Sequence, residues 1–223
     1  MKMIKTNDWH PAILVMRERI ELELSNGKKV LWLLSGGSNV NSGVLAMQNI
    51  PDELTNNLSV MLMDERYGIV GHDDSNDEQL AKAGFDQKSS RYIHVLRDNT
   101  SFEATRERYE AEAKAAFSES DIIIGLFGLG ADGHTAGILP HSVAVDSPDF
   151  VAAYASSPYQ RLTLTDHALK RINVAYLLAY GADKEPALEL LASKMIPYAE
   201  QPAQLIKEIP EAYVFNDRVG ESV

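Results

Sequence analysis

The segment 128–135, Gly-Leu-Gly-Ala-Asp-Gly-His-Thr, carries the side chains best suited to acid–base chemistry. Histidine has the proton affinity of a general base near neutral pH, and a nearby carboxylate such as Asp132 can fix the tautomer of His134. The flanking glycines let the backbone and the imidazole ring approach a ligand closely. A lone histidine is more often structural, but this glycine-rich setting favours a functional one.

The same segment matches the pattern G-x-G-x-x-G, which raises a dinucleotide site as an alternative. The match lies in the middle of the chain, and its last glycine is followed by His134 and Thr135. Pro140 then interrupts any helix within about two turns, whereas the helix of a dinucleotide-binding fold continues further. A nicotinamide-binding site is therefore the least favoured interpretation.

The turn Ser35-Gly36-Gly37-Ser38 follows an apolar stretch and offers backbone N–H groups without Cβ obstruction, together with two hydroxyls. If a helix follows, such a turn forms a nest for an anion. It is not a Walker A loop, because no Gly-Lys-Ser/Thr follows. The alternative is an ordinary strand-to-helix turn.

Asp64-Glu65-Arg66 places two carboxylates beside a guanidinium at a predicted strand end. Arg66 could contact an anionic substrate, and Asp64 could orient a neighbouring group or a water molecule. The alternative is a solvated, salt-bridged loop, which is how most such clusters behave. Two further cations, Arg161 and Lys184, also lie near predicted strand ends.

Other catalytic and metal-binding chemistries find little support in the sequence. The chain has no Cys, which excludes thiol catalysis and thiolate metal sites. The serine-hydrolase pattern G-x-S-x-G is absent. Neither H-E-x-x-H nor a comparable pair occurs, so we expect no metal site, although six side chains are possible ligands: His72, Asp73, Asp74, Asp132, His134 and His141.

Apolar runs predict the strands that position these loops, at 29–34, 58–63, 92–96, 121–127, 161–165, 174–179 and 213–215. Predicted helices cover 9–24, a short stretch through Leu80, 100–117, a segment from Asp166 and one through Leu191. Asn7 or Asp8 is the expected N-cap of the first helix, and Asn26-Gly27 its end. The spacing from Thr100 to Glu103 is typical of a capping box.

Strands that alternate with helices predict an α/β fold with a largely parallel sheet, in one domain spanning 1–223. Ligands of such sheets bind outside the carboxyl ends of the strands. Because three polar or glycine-rich loops follow apolar strands, we expect those loops to converge at one edge.

The composition indicates which classes of partner the chain can bind. The formal net charge is −11, with 32 acidic against 21 basic residues, which argues against nucleic acid. No apolar run approaches the length of a membrane span, and the N-terminal sequence lacks the apolar stretch of a signal peptide. The chain is therefore predicted to be cytoplasmic and to bind a small molecule, with any positive field confined to its site.

Taken together, the three loops resemble the ordered motifs of the 6-phosphogluconolactonase family, which is related to the glucosamine-6-phosphate deaminases. The stretch Asp132-Gly133-His134-Thr135-Ala136 is the most specific element of this resemblance. Further matching segments follow in the same order along the chain, at 74–76, 161–165, 181–184 and 202–205.

The resemblance implies a doubly wound sheet with helices on both faces and hydrolysis of 6-phospho-D-glucono-1,5-lactone to 6-phosphogluconate. This is the second step of the oxidative pentose phosphate route, and it needs no cofactor or metal. The expected catalytic residues are His134 as general base, Asp132, Arg66 and Asp64. The expected substrate- and phosphate-binding residues are Ser35, Gly36, Gly37, Ser38, Gly130, Arg161 and Lys184.

Two positions depart from the family pattern. Asn39-Val40 stands where a proline commonly follows the serine-glycine turn, and Gly137 replaces a small hydroxyl residue. The deaminases typically continue Gly-His into Ile-Ala-Phe-Asn-Glu-Pro, and this chain lacks that glutamate. An amino-sugar phosphate isomerase or deaminase and a non-catalytic sugar-phosphate sensor remain as alternatives.

Overall fold

The computed structural model describes residues 1–222 and contains two sheets. Its strands are β1 (Lys2–Lys5), β2 (Val30–Leu34), β3 (Leu58–Leu62), β4 (Asp64–Arg66), β5 (Arg91–Ile93), β6 (Ile122–Gly128), β7 (Val151–Ser156), β8 (Tyr159–Leu164), β9 (Val174–Ala179), β10 (Glu211–Asn216) and β11 (Glu221–Ser222). Its α-helices are α1 (His10–Ser25), α2 (Val40–Asn49), α3 (Asn76–Lys82), α4 (Phe102–Glu119), α5 (Asp166–Leu169) and α6 (Glu185–Ser193). Short 3-10 helices cover Gly37–Asn39, Asp52–Asn57, Ala182–Lys184 and Pro202–Glu208.

The central sheet has eight strands in the order β11-β1-β10-β9-β6-β2-β3-β5, and all its neighbouring strands pair in parallel. Every residue of β2 and β9 is buried, as expected for central strands that are covered on both faces. Trp32 lies at the centre of this core and is fully buried. The prediction of a doubly wound, largely parallel α/β sheet is confirmed for this part of the molecule.

A small antiparallel sheet in the order β4-β8-β7 stands beside the central one. A single residue, Met63, separates β3 from β4 and joins the two sheets. The Met63 N–H donates to the Leu34 carbonyl at 2.8 Å, and the Met63 carbonyl accepts from the Leu164 N–H at 2.8 Å. The chain therefore passes from one sheet to the other without a flexible linker.

The strand predicted at 161–165 exists, but its expected place in the parallel sheet was wrong. Arg161 lies within β8 of the antiparallel sheet rather than near the end of a parallel strand. Four strands were also missed, namely β1, β4, β7 and β11. The first, β1, is a short strand near the sheet edge whose partner β10 lies far away in sequence, and β7 is alanine-rich, with weak β propensity.

Several predicted boundaries need correction. The strand predicted at 92–96 is the shorter β5, and the chain leaves the ladder before Val95. Helix α1 has Trp9 as its N-cap residue, without a side-chain cap, while Asp8 accepts from the His10 N–H at 2.8 Å. Its predicted end is confirmed, since Gly27 follows the helix with φ +77°.

No helix within residues 1–222 is long and apolar enough to cross a membrane.

The cap of α4 is Ser101 rather than Thr100, because the Ser101 hydroxyl accepts from the Ala104 N–H at 3.3 Å. We expect Ser101→Ala to lower the free energy of unfolding by about 1 kcal/mol. Thr100→Ala, at the position that the sequence pattern indicates, should change it by much less. Urea unfolding of both variants measures the difference, and equal losses would show that the cap is assigned to the wrong residue.

Candidate active site

A cleft of about 330 Å³ opens at the carboxyl ends of β2 and β6, where the antiparallel sheet meets the central one. It gathers nearly all of the residues singled out in the sequence. The residues from that set that line the cleft are Ser35, Gly36, Gly37, Ser38, Asp64, Arg66, Gly130, His134, Arg161 and Lys184. Asp132 does not line the cleft, but it is hydrogen-bonded to His134.

The imidazole of His134 is held by Asp132. Its Nδ1 lies 2.6 Å from the Asp132 carboxylate, which also accepts from the His134 backbone N–H at 3.1 Å. Partial burial tends to raise the pKa of Asp132, but these hydrogen bonds and the nearby imidazole outweigh it and keep that pKa below its usual value. An ionised Asp132 requires a proton on Nδ1, so the neutral ring carries its lone pair on Nε2.

Glycine at position 130 makes this pair possible. A Cβ atom there would lie 2.0 Å from Nδ1 of His134 and 2.6 Å from the Asp132 carboxylate, so any side chain would displace both groups. The loop also closes on itself, because the Gly130 N–H donates to the His134 carbonyl at 2.8 Å. The glycine pattern of this loop therefore serves close packing of a histidine and a carboxylate.

The turn at 35–38 leads into the 3-10 helix Gly37–Asn39 and directly into α2, as the anion-nest prediction requires. Gly37 and Ser38 are exposed at the start of this helical segment, whose first N–H groups have no partner within the helix. The expected use of both hydroxyls needs correction. Ser35 is buried and donates its hydroxyl proton to the Leu126 carbonyl at 2.8 Å, so it ties the turn to β6.

The segment Asp64-Glu65-Arg66 is not a solvated loop, because it forms β4 and both of its carboxylates are buried. Burial raises the pKa of Asp64, which lines the cleft. The positive charge of Arg66, followed by that of Arg161, opposes this rise. Gly137 has φ +70°, and a Cβ atom there would lie 2.5 Å from the Asp64 Cβ, so the departure from the family pattern at 137 makes room for this carboxyl.

Glu65 was not predicted as a site residue, yet it connects the cleft to α3. Its carboxylate accepts from the N–H groups of Arg66 and Asn76 at 2.7 Å and of Asp77 at 3.0 Å. The Ser75 hydroxyl donates to it as well, at 3.0 Å. No local pattern indicates this role, because Ser75, Asn76 and Asp77 lie ten or more residues away from Glu65.

Asn76 was likewise absent from the predicted set, although it lines the cleft. Its side-chain amide donates to the Asp64 carbonyl at 2.9 Å. The segment 74–76 was predicted as a turn before a short helix and matched the family pattern, but no site role was assigned to it. Five further residues complete the lining: Gly128 at the end of β6, and Leu129, Thr135, Ala136 and Gly137 after it.

Positive charge collects in the cleft. Arg66 and Arg161 stand directly opposite each other across the β4–β8 ladder, where like charges repel. The ion pairs formed by the described part of the chain leave both arginines without a carboxylate partner. Lys184, at the junction of β9 and α6, also lines the cleft, and among the described residues it forms an ion pair only with its exposed neighbour Asp183, at 3.1 Å. An anion bound between these cations would relieve their repulsion.

The possible metal ligands of the sequence do not come together. Within residues 1–222 no group of three or more histidine or acidic side chains could hold a metal ion. Nε2 of His72 lies 2.9 Å from the Arg66 carbonyl, and Asp73 pairs with Lys82. His141 is exposed and does not line the cleft.

Burial raises the pKa of Glu65 to about 7, although the surrounding N–H donors favour its charged form. The folded chain therefore keeps a proton that the unfolded chain loses near pH 4.5. We expect the free energy of unfolding to fall as pH rises from about 4.5 to 7 and to be fully retained only below that range.

The measurement for this prediction is the slope of stability against pH for wild type, Glu65→Gln and the exposed control Glu53→Gln. Glu65→Gln should flatten the slope whatever its absolute stability, and Glu53→Gln should keep it. A slope that survives unchanged in Glu65→Gln would assign the pH dependence to other groups.

Comparison with known proteins places this cleft in a family. A model described as glucosamine-6-phosphate isomerases/6-phosphogluconolactonase matches residues 12–214. A 6-phosphogluconolactonase from Synechocystis sp. is 29% identical over 227 residues, which cover 95% of this chain and 92% of the relative.

Two solved structures share the fold. A 6-phosphogluconolactonase from Thermotoga maritima has a TM-score of 0.77 at 23% identity, covering 96% of this chain and 98% of its own. A monomeric glucosamine-6-phosphate deaminase has a TM-score of 0.76 at 19% identity, covering 98% of each chain. Because the family match spans most of its length, the chain belongs to the family of glucosamine-6-phosphate isomerases and 6-phosphogluconolactonases.

Proposed function

We propose that this protein hydrolyses 6-phospho-D-glucono-1,5-lactone to 6-phosphogluconate. The observation that carries the proposal is the arrangement of the cleft: the Asp132–His134 pair and three cations line or adjoin one space. A base and an electropositive pocket are what hydrolysis of an anionic ester requires. The name of the Synechocystis relative supports the same substrate.

His134 acts as the general base. The carboxylate of Asp132 holds the proton on Nδ1, so Nε2 is free to take a proton from a water molecule directed at C1 of the lactone. As the water oxygen bonds to C1, the carbonyl electrons move to the carbonyl oxygen. Asp132 stabilises the imidazolium that forms, in the manner of a carboxylate–histidine pair in other hydrolases.

The developing oxyanion needs positive partners. Arg66, which lines the cleft, is the candidate, because the N–H groups of Gly130, Gly133 and His134 already donate within their own loop. When the oxyanion collapses, the bond between C1 and the ring oxygen breaks, and protonated His134 returns its proton to that oxygen. Asp64, buried beside Arg66, orients this arginine or the attacking water.

The phosphate end of the substrate lies at the other part of the cleft. Arg161, Lys184 and the N–H groups of the Ser35–Ser38 turn would hold it by charge-assisted hydrogen bonds. Holding the phosphate fixes C1 relative to the base, and such positioning lowers the barrier by several kcal/mol in favourable cases. The reaction thus draws on residues from both sheets, which supports one functional domain over 1–223. The cysteine-free composition favours a cytoplasmic location.

The family also contains deaminases, and their chemistry is the second candidate. The stretch after His134, Thr-Ala-Gly-Ile-Leu-Pro, contains no carboxylate, so the glutamate typical of that branch is missing. Incubation with glucosamine 6-phosphate should therefore release no ammonia. Ammonia release without lactone hydrolysis would favour the deaminase, and binding of sugar phosphates without turnover would favour a sensor.

Replacing His134 with alanine should lower kcat for the lactone by about 100- to 10,000-fold, because the general base is lost. The assay follows freshly prepared 6-phosphogluconolactone above its spontaneous hydrolysis. The matched control is His10→Ala, since His10 contacts Asp8 with the same spacing, Nδ1 to carboxylate at 3.1 Å, but lies on the surface at α1. Near-normal activity of His134→Ala would remove this residue from the mechanism.

Replacing Arg161 with alanine should raise KM for the phosphorylated lactone by about tenfold or more, the value of one charged hydrogen bond. KM for unphosphorylated gluconolactone should change little, because that substrate lacks the group that Arg161 binds. Arg91→Ala, which removes only a surface pair with Glu119, serves as the control. Equal effects on both substrates would contradict a role in phosphate binding.

A further inference from the structure

Arg66 and Arg161 are held in the cleft by neutral partners. Arg66 donates through Nη1 to the Asp74 backbone carbonyl at 2.9 Å. Arg161 donates through Nε to the Ser156 hydroxyl at 3.4 Å. Among the described residues no carboxylate forms an ion pair with either group, and the buried Asp64 acts on both arginines only from beyond ion-pair distance.

The ring of Tyr159 meets both of them. The guanidinium carbon of Arg66 lies 5.5 Å from the ring centroid, and that of Arg161 lies 5.3 Å from it. Both distances fall within the range of a cation–π interaction. Tyr159 precedes Arg161 by two residues on β8 and therefore projects from the same face of the strand.

The ring is itself fixed to the segment that holds Arg66. The Tyr159 hydroxyl donates to the Asp74 side chain at 3.2 Å, while the carbonyl of that residue accepts from Arg66. Tyr159 is half-buried and does not line the cleft. It therefore contacts the two cations from outside the space that a ligand would occupy.

An aromatic face differs from a carboxylate in one decisive respect. It attracts a cation through its quadrupole but carries no net charge, so the cation keeps its full charge for another partner. A carboxylate in the same place would compete with an anionic ligand for both guanidinium groups.

We propose that Tyr159 is a positioning residue that holds Arg66 and Arg161 in place without neutralising them, Arg161 for the anionic group of the ligand and Arg66 for the oxyanion that forms at C1. The identity of that group as a sugar phosphate rests on the proposed function. The cation–π geometry itself does not depend on it.

The test compares three variants with wild type. Tyr159→Leu removes the aromatic face, and Tyr159→Phe keeps the face but loses the hydroxyl. Tyr213→Leu makes the same change at another half-buried tyrosine, which stacks on Tyr176 on the central sheet away from the cleft. For each we would measure KM and kcat for the phosphorylated lactone, the affinity for 6-phosphogluconate by calorimetry, and the thermal unfolding midpoint.

Loss of the contact with Arg161 should weaken 6-phosphogluconate binding and raise KM by about fivefold or more in Tyr159→Leu, and loss of the contact with Arg66 should lower kcat. Tyr159→Phe should rescue binding to within about twofold of wild type, since the ring face remains. Tyr213→Leu should bind as wild type does, even if its thermal midpoint falls.

The inference would be overturned if Tyr159→Leu bound 6-phosphogluconate as tightly as wild type. It would also be overturned if Tyr159→Phe lost as much affinity as Tyr159→Leu, because the hydroxyl would then be the important group. The third contrary result is an equal loss of affinity in the control Tyr213→Leu. The binding measurement tests the role of Tyr159 independently of the proposed function. A wild-type chain that binds 6-phosphogluconate but hydrolyses no lactone would refute the function alone, and the variants would still decide the role of Tyr159. A chain that does neither would refute both.

Discussion

The hydrogen bond between the Asp132 carboxylate and Nδ1 of His134 is the contact on which the cleft depends, and it exists because position 130 has no side chain. The loop that carries it is supported from behind. The Ala203 N–H donates to the Gly133 carbonyl at 3.1 Å, which joins the loop to the 3-10 helix Pro202–Glu208. The segment noted at 202–205 in the sequence thus fixes the loop in place, which explains how a glycine-rich stretch presents one ring in one orientation.

The two sheets contribute different groups to the cleft. The central parallel sheet supplies the serine-glycine turn after β2 and the loop of His134 after β6. The antiparallel sheet supplies the paired arginines of β4 and β8. A chain of net charge −11 can in this way attract an anion at short range, because the positive groups are concentrated where its acidic surface does not neutralise them.

The sequence allowed most of the parallel sheet to be predicted, because central strands are continuous apolar runs whose pattern is local. Pairing between distant segments is not local. The strand at 161–165 was identified, but nothing in its residues indicates that it pairs with β4 instead of joining the parallel sheet. Glu65 was missed for the same reason, because its role depends on N–H groups of α3, which are distant from it in sequence.

In the site, too, local sequence patterns were predictable and contacts between distant residues were not. Asp8-Trp9-His10 and Asp132-Gly133-His134 have the same spacing and the same carboxylate contact, yet only the second pair adjoins the cleft. Spacing alone could not separate them, whereas the glycines around His134 and the family resemblance did. The contacts of Tyr159 with two arginines had no sequence signal, because one of its partners lies more than ninety residues away.

Met63 determines how the two walls of the cleft are joined. Its N–H and carbonyl are hydrogen-bonded to β2 and β8 respectively, so the walls on either side share one residue. Enzymes that close around a substrate bend at short stretches of loop between rigid bodies, and this crossing offers no such stretch. The two walls are therefore joined without a hinge at this residue. A change of preferred sugar acid would then come more easily from the side chains that line the cleft than from a new angle between the walls at this crossing.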